Sequence, residues 1–299
     1  MTHPDVPPTT TAELAERVRG LRSPVVVMAF AGWNDAGDAA TDTVAHLHDA
    51  WGAQWLGGLD PDDYYDFQVN RPAVKLLDDE AGGPGTERTI VWPTTRFAAC
   101  PLPGTDRDVL LIHGVEPNMR WRGFSEEIVS VVQASGAQLV VSLGALLADI
   151  AHTRPIQVSG SAADRAQAER MGLTVSRYEG PTGIVGVLGE VLGAAGIPVV
   201  SLWAAVPHYV SSPPSPKATL ALLDHIEDLL EISVPSGDLP ARATVWERTV
   251  NELASEDSDV AEYVAQLESR EPTDELPEAS GEAIARAFER FLRRGGGQP

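Results

Sequence analysis

Three valine-rich runs in this chain end on residues that could handle a proton. The first, residues 24–31 (PVVVMAFA), leads into Trp33, Asn34 and Asp35. The second, residues 108–113 (DVLLIH), closes on His113 and is followed by Glu116 and Asn118. The run 198–203 (PVVSLW) leads on to His208 and Tyr209. A histidine titrates close to neutrality, and a nearby carboxylate can set its tautomer and tune its pKa. His113 or His208 is therefore a candidate proton carrier, Glu116 or Asp35 its orienting carboxylate, and Trp33, Asn34, Asn118 and Tyr209 candidate pocket walls. The same residues also have a purely structural reading, which carries the greater weight. Asn and Asp cap helix N-termini, acids such as Asp38 suit the positive helix end, and buried histidines satisfy backbone carbonyls.

A second segment could approach a ligand with its backbone. Residues 178–186 read YEGPTGIVG and contain Gly180, Thr182 and Gly183. Gly186, Gly189 and Gly193 then recur along an apolar stretch. Each glycine inside a helix costs about 1 kcal/mol relative to alanine, so something must offset them. An anion on the helix N-terminus would do so. So would close packing of Gly186, Gly189 and Gly193 against the sheet or a neighbouring subunit, which is the reading adopted. Asp35, Asp38 and Asp42 share a helical face, but no histidine joins them and no metal is expected. His46 and His48, two apart, point in different directions. The phosphate loop, H-E-x-x-H, G-x-S-x-G and C-x-x-C signatures are all missing, and Lys75 and Lys217 are the only lysines. Cys100 has no cation nearby in sequence and is read as packing. No cofactor is expected.

These residues need a scaffold, and the apolar runs supply its outline. Runs 24–31, 108–113, 138–143 and 198–203 have the continuous hydrophobicity of strands covered on both faces. Helical patterns over 35–51, 125–134 and 182–195 lie between them. Alternation of this kind predicts crossover units and an α/β fold. Residues 54–103 break into short pieces (QWLGGL, YYDFQ, AVKLL, RTIVW, RFAAC) that suggest added strands or hairpins. A helix over 11–20 precedes the first strand, and a long amphipathic helix over 213–232 follows the last. Beyond the break at Pro235-Ser236-Gly237, residues 240–254, 257–270 and 280–294 suit three helices. The expected division is a partly mobile N-terminal segment 1–22, an α/β domain 23–234, an acidic helical appendage 235–294 and a disordered tail 295–299. Val250, Leu253, Val260, Tyr263, Val264 and Leu267 are expected to dock the appendage.

Charge narrows the partners. Of 299 residues, 43 are acidic and 22 basic, a net charge of −21. Nucleic acid and anionic lipid require basic patches, so neither is expected. Residues 247–282 concentrate twelve acids against Arg248 and Arg270. Residues 184–206 are apolar enough to imitate a membrane span, but Glu190 and the Gly196-Ile197-Pro198 stop divide them into a helix and a strand. The N-terminus carries no secretory pattern, and one cysteine makes no internal disulfide. A cytoplasmic protein is expected.

Three stretches together resemble a known family. VVVMAFAGWNDAGDAATDTVAHL, SRYEGPTGIVGVLGEVLGAAGIPVVSLWAAVPHYV and PSPKATLALLDHIEDLL are similar to the bacterial, actinobacterial-type branch of the proteasome assembly chaperones, the branch related to the second eukaryotic assembly chaperone. The resemblance covers residues 23–230 and the acidic helical C-terminus. It implies a Rossmann-like three-layer α/β sandwich of phosphorylase/hydrolase type, homotrimers, and a protein-binding or assembly role toward partners such as proteasome subunits. Carboxylate-amine ligase labels attached to some members keep a small-molecule enzyme as the alternative. The chain ends GGGQP rather than in a hydrophobic-Tyr-x motif, so insertion of a C-terminal tail is not expected.

Overall fold

A computed structural model of the protein describes residues 8–78, 84–210 and 212–269. Thr10 opens the first helix, α1 (Thr11–Val18), with a reciprocal capping box to Glu13. β1 (Val25–Ala31) follows, and its first six residues are buried. The helix expected over 35–51 begins late. A 3-10 turn at Ala36–Asp38 contains Gly37 at φ +62°, and only then does α2 (Ala39–Trp51) start. The short pieces that follow form β2 (Gln54–Gly58), β3 (Ala73–Asp78), β4 (Pro84–Val91) and β5 (Arg96–Pro101). YYDFQ is the exception. It forms no strand, because Tyr64 and Tyr65 follow a 3-10 turn at Pro61–Asp63, and Asp66 accepts the amides of Val69 and Asn70 through its carbonyl.

The second half alternates as the apolar runs predict: β6 (Asp108–Val115), α3 (Trp121–Ser135), β7 (Leu139–Ala148), then β8 (Val158–Ala162), α4 (Arg165–Met171) and β9 (Thr174–Val175). α5 (Ile184–Ala194), β10 (Val199–Pro207) and α6 (Pro216–Leu230) complete the body. α7 (Leu239–Glu256) and α8 (Ser258–Ser269) match two of the three C-terminal helices. The third, over 280–294, lies outside the described residues, as do the tail 295–299 and residues 1–7.

Eight strands form one sheet in the order β2-β5-β6-β1-β7-β10-β8-β9, while β3 and β4 make a separate two-stranded hairpin. β6, β1, β7 and β10 run parallel at its centre. Alternate side chains of these strands feed two cores. Val27, Ala29, Leu111, Val141 and Leu202 pack with Val44 and Leu47 of α2 and Leu222 of α6. Met28, Phe30, Leu110 and Ile112 pack with Leu14 of α1, Phe124 of α3 and Leu188 of α5. The architecture is thus a mixed sheet with helices on both faces, a three-layer α/β sandwich with a helical C-terminal part. Among the described residues no helix is long and apolar enough to cross a membrane. The 184–206 stretch divides into α5 and β10.

The C-terminal helices dock more narrowly than the expected stripe. Val250, Val264 and Leu267 are buried, whereas Leu253 points outward with 60% of its surface exposed. Leu239, at the head of α7, joins the same core as α2 and α6.

Gly144 of β7 lies opposite Trp203 of β10, and a methyl group on it would sit 2.5 Å from the indole. Gly144→Ala should therefore lower unfolding stability by about 1–3 kcal/mol, as overpacked cores do. Denaturant titration followed by circular dichroism checks this.

Candidate functional site

The carboxyl ends of the parallel strands are where ligands bind in open α/β sheets. Here β1 ends in Trp33, Asn34 and Asp35, and β6 ends in Glu116. The Glu116 amide donates to the Ala31 carbonyl at 2.9 Å, which aligns the two loops. Glu116 Oε1 then accepts from the backbone N–H of Ile184, the first residue of α5, at 2.7 Å and from Asn34 Nδ2 at 3.1 Å. The Trp33 amide donates to the same carboxylate. Burial pushes the Glu116 pKa up, and these donors pull it back. A carboxylate of the chain itself thus occupies the anion position at the helix N-terminus.

Asn34 is buried and locked from both sides. Its carbonyl accepts the Ala145 amide at 2.8 Å, and its amide group lies against Gly183. A Cβ on Gly183 would fall 2.0 Å from Asn34 Nδ2, so only glycine lets α5 approach this loop. Asp35, also buried, serves the opposite face of the sheet. Its Oδ1 accepts the Ala40 amide at 2.7 Å, and its Oδ2 accepts the Thr41 amide at 3.3 Å and the Thr41 hydroxyl. It therefore caps α2, while Asp38 makes no side-chain cap. Desolvation raises the Asp35 pKa to about 7, against the lowering effect of these bonds.

The two histidines do not share a pocket. His113, on the α2 side of β6, packs its ring 5.4 Å from Trp55, which in turn stacks on His48 at 4.2 Å. His208 lies beyond β10, with Nδ1 3.2 Å from Asp149 and its ring 5.4 Å from Tyr263. β1 and β7 stand between β6 and β10, which places the two rings' strands about 14 Å apart at the usual spacing. Asn118 is a clamp for a loop: its Oδ1 accepts from the Asp66 amide at 2.9 Å and from Asn70 Nδ2 at 2.8 Å. Trp33 is partly exposed.

Within the subunit only part of the glycine helix is closely packed. Gly183 makes the tight contact inside the subunit, and Gly186 makes room for Thr182, whose Oγ1 would lie 1.9 Å from an added Cβ. A Cβ on Gly189 or Gly193 meets nothing within 4 Å, so neither presses on the sheet; Gly180 is exposed in the loop before α5. Cys100 is buried, and burial pushes its thiol up to about 11, which removes it as a nucleophile at neutral pH. Among the described residues no group of three His, Cys, Asp or Glu could hold a metal ion.

Against known proteins, the PAC2 family matches residues 29–254, about three quarters of the chain. This chain belongs to the PAC2 family. A PAC2 family protein from Streptomyces avermitilis is 53% identical, with a TM-score of 0.74 over 81% of this chain and 99% of that one. A proteasome-assembly chaperone homologue from Mycobacterium tuberculosis is 54% identical, with a TM-score of 0.70 over 80% and 99%. PbaB of Pyrococcus furiosus, an archaeal proteasome activator, shares the fold at 16% identity, with a TM-score of 0.60 over 78% and 94%. A comparison with curated proteins finds no match.

One polar cluster of this PAC2 protein has no sequence signal. His152 is buried in the loop after β7, and its Nδ1 lies 2.7 Å from the Tyr209 hydroxyl, which also accepts the His152 amide. Its Nε2 lies 3.0 Å from Asn251 Oδ1 on α7. The tautomer that satisfies both carries its proton on Nε2, with Tyr209 donating to Nδ1. Lys217 of α6 donates to the His152 carbonyl at 2.6 Å and to Glu247 of α7 at 2.5 Å. Burial lowers the His152 pKa, so the ring is neutral at pH 7. The residues involved are up to 99 positions apart in sequence, and only the folded chain joins them. Tyr209 thus holds His152, which in turn meets α7.

The pKa shifts give opposite pH slopes. His152 contributes stability that is complete above its ordinary value of 6.5 and is lost as pH falls. For Asp35 the folded chain holds the proton more tightly than the unfolded chain. Its contribution is complete below 3.8 and is lost as pH rises through about 7. Asp35→Asn keeps a carbonyl oxygen for the Ala40 amide and removes the titration. Its Tm should fall less than that of the wild type as pH is raised through about 7; identical profiles would show that Asp35 does not titrate there.

Proposed function

We propose that this PAC2 protein is a protein-binding assembly factor that acts on the proteasome in the cytoplasm as a homo-oligomer, with a trimer as the expected state. The observation that carries the reading is the 54% identity to a proteasome-assembly chaperone homologue, which extends over 99% of that protein and a shared fold. The strand ends support it. Glu116, Asn34 and Asp35 are engaged in holding loops and helix ends, as a rigid platform requires. The rival hydrolase, phosphorylase or ligase reading pairs His113 or His208 with Glu116 or Asp35; it is less favoured because both carboxylates accept helix amides, while His113 packs on Trp55 and His208 lies beside Asp149. In this reading residues 235–294 form a unit that adds an acidic, partner-facing surface, and the open glycine face of α5 at Gly189 and Gly193 is a second interface candidate.

The test is retention of purified proteasome subunits on the immobilised full chain. Unassembled α-subunits and half-assembled particles should be retained, and finished particles much less. Retention of none of them, or of finished particles alone, would overturn the assembly reading.

A further inference from the structure

Among the described residues the large exposed apolar side chains are not scattered. Val74, Leu76, Ile90 and Trp92 belong to the β3–β4 hairpin and the residue after it, with Val69 just before it, and Trp33 and Met119 follow β1 and β6. The other two, Val245 and Leu253, are on α7.

The hairpin register gives its patch a definite face. Val74 pairs with Ile90 and Leu76 with Arg88, so the period of two puts these four and Trp92 on one side. Val74 is 64% exposed, Leu76 49% and Ile90 48%. The only charge among these five residues is Arg88. Among the described residues the hairpin pairs with no other strand, and an isolated two-stranded hairpin is marginal in water unless its apolar face is covered.

The α7 patch is its complement. Val245, Thr249 and Leu253 follow one another at helical spacing along the outer side of α7, and Glu252 and Glu256 lie on the same stripe. All five are exposed. Arg248, also exposed, lies between Val245 and Glu252 on that face, so one surface is apolar with a positive charge and the other is apolar with two acids to one base.

We propose that the β3–β4 hairpin face docks on the outer stripe of α7 of a second copy of this chain, in a head-to-tail contact. A net charge of −21 sets two copies against each other over most of their surfaces, which favours a contact that is largely apolar and joins Arg88 to acids. A hairpin-to-hairpin contact would oppose two Arg88 side chains and leave the α7 stripe uncovered. The head-to-tail contact covers both patches, and with a closing rotation it makes a ring. The inference rests on the reading above of the C-terminal helices as a partner surface and names that partner as a second copy.

Two substitutions at exposed positions test it, with circular dichroism to verify that each variant is folded. Ile90→Asp removes the hairpin patch, and Leu253→Asp removes the α7 patch. By sedimentation at micromolar concentration the wild type should be an oligomer, and each variant alone should have the mass of one chain, 31.9 kDa. Mixed in equal amounts, the two variants should form a dimer of twice that mass and nothing larger, since one intact hairpin meets one intact α7. Raised salt should weaken this dimer. A monomeric wild type, a variant that keeps the wild-type mass, or a mixture that stays monomeric would each overturn the proposal. None of these masses depends on proteasome subunits, so failure here and failure of the assembly reading are separate results.

Discussion

The Glu116 carboxylate rests on the amino end of α5, and three segments distant in sequence depend on that contact. It receives the Ile184 amide from α5 and the Asn34 side chain and Trp33 amide from the loop after β1, while its own backbone is tied to Ala31. A carboxylate at a helix N-terminus contributes about 0.3–1 kcal/mol at the surface and up to about 2 when partly buried. Its larger effect is geometric. It draws α5 so close to the β1 loop that Gly183 has no space for a methyl group, and it holds Asn34 where the Asn34 carbonyl can accept from Ala145 of β7. Next to it, Asp35 performs the same service for α2 on the other face of the sheet. Two consecutive residues thus help fix both helical layers to the central strands.

Much of this was legible in the residues. Long valine-rich runs are the mark of strands buried on both sides, and β1, β6, β7 and β10 lie where those runs lie. Helix boundaries at α7 and α8 came within a few residues, because Pro240 and Asp257 punctuate the chain. The segment 158–175 was not legible. β8, α4 and β9 are short, and half-buried edge strands such as VSGSA carry no hydrophobic signature. The polar residues that follow the strands were visible as a group, yet sequence could not show which would meet. Glu116 and Asn34 meet because β6 and β1 are neighbours, and His113 and His208 do not because two strands intervene. Gly183 stood among conspicuous glycines, but its reason was hidden in a contact with Asn34, almost 150 residues away.

A strand-end cluster whose carboxylates already serve helix amides suits a rigid platform better than proton chemistry. Function then moves to the outer surfaces, where the exposed apolar residues and the acidic helices are found. The His152 network connects the two regions, since it fastens α7 to the loop after β7 and to α6. A platform held rigid at its centre can present its periphery in a fixed geometry, which recognition of another protein requires.

The keystone role of Glu116 is tested most directly by hydrogen exchange at the Ile184 amide in the wild type, Glu116→Gln and Glu116→Ala. Gln keeps an acceptor oxygen for that amide and Ala does not. The account expects the Ile184 amide to exchange much faster in Glu116→Ala, with Glu116→Gln in between, and a loss of unfolding stability of about 1–3 kcal/mol in the Ala variant from the unsatisfied buried donors. Unchanged protection at Ile184 and unchanged stability in Glu116→Ala would contradict it, and would free this carboxylate for a role in chemistry.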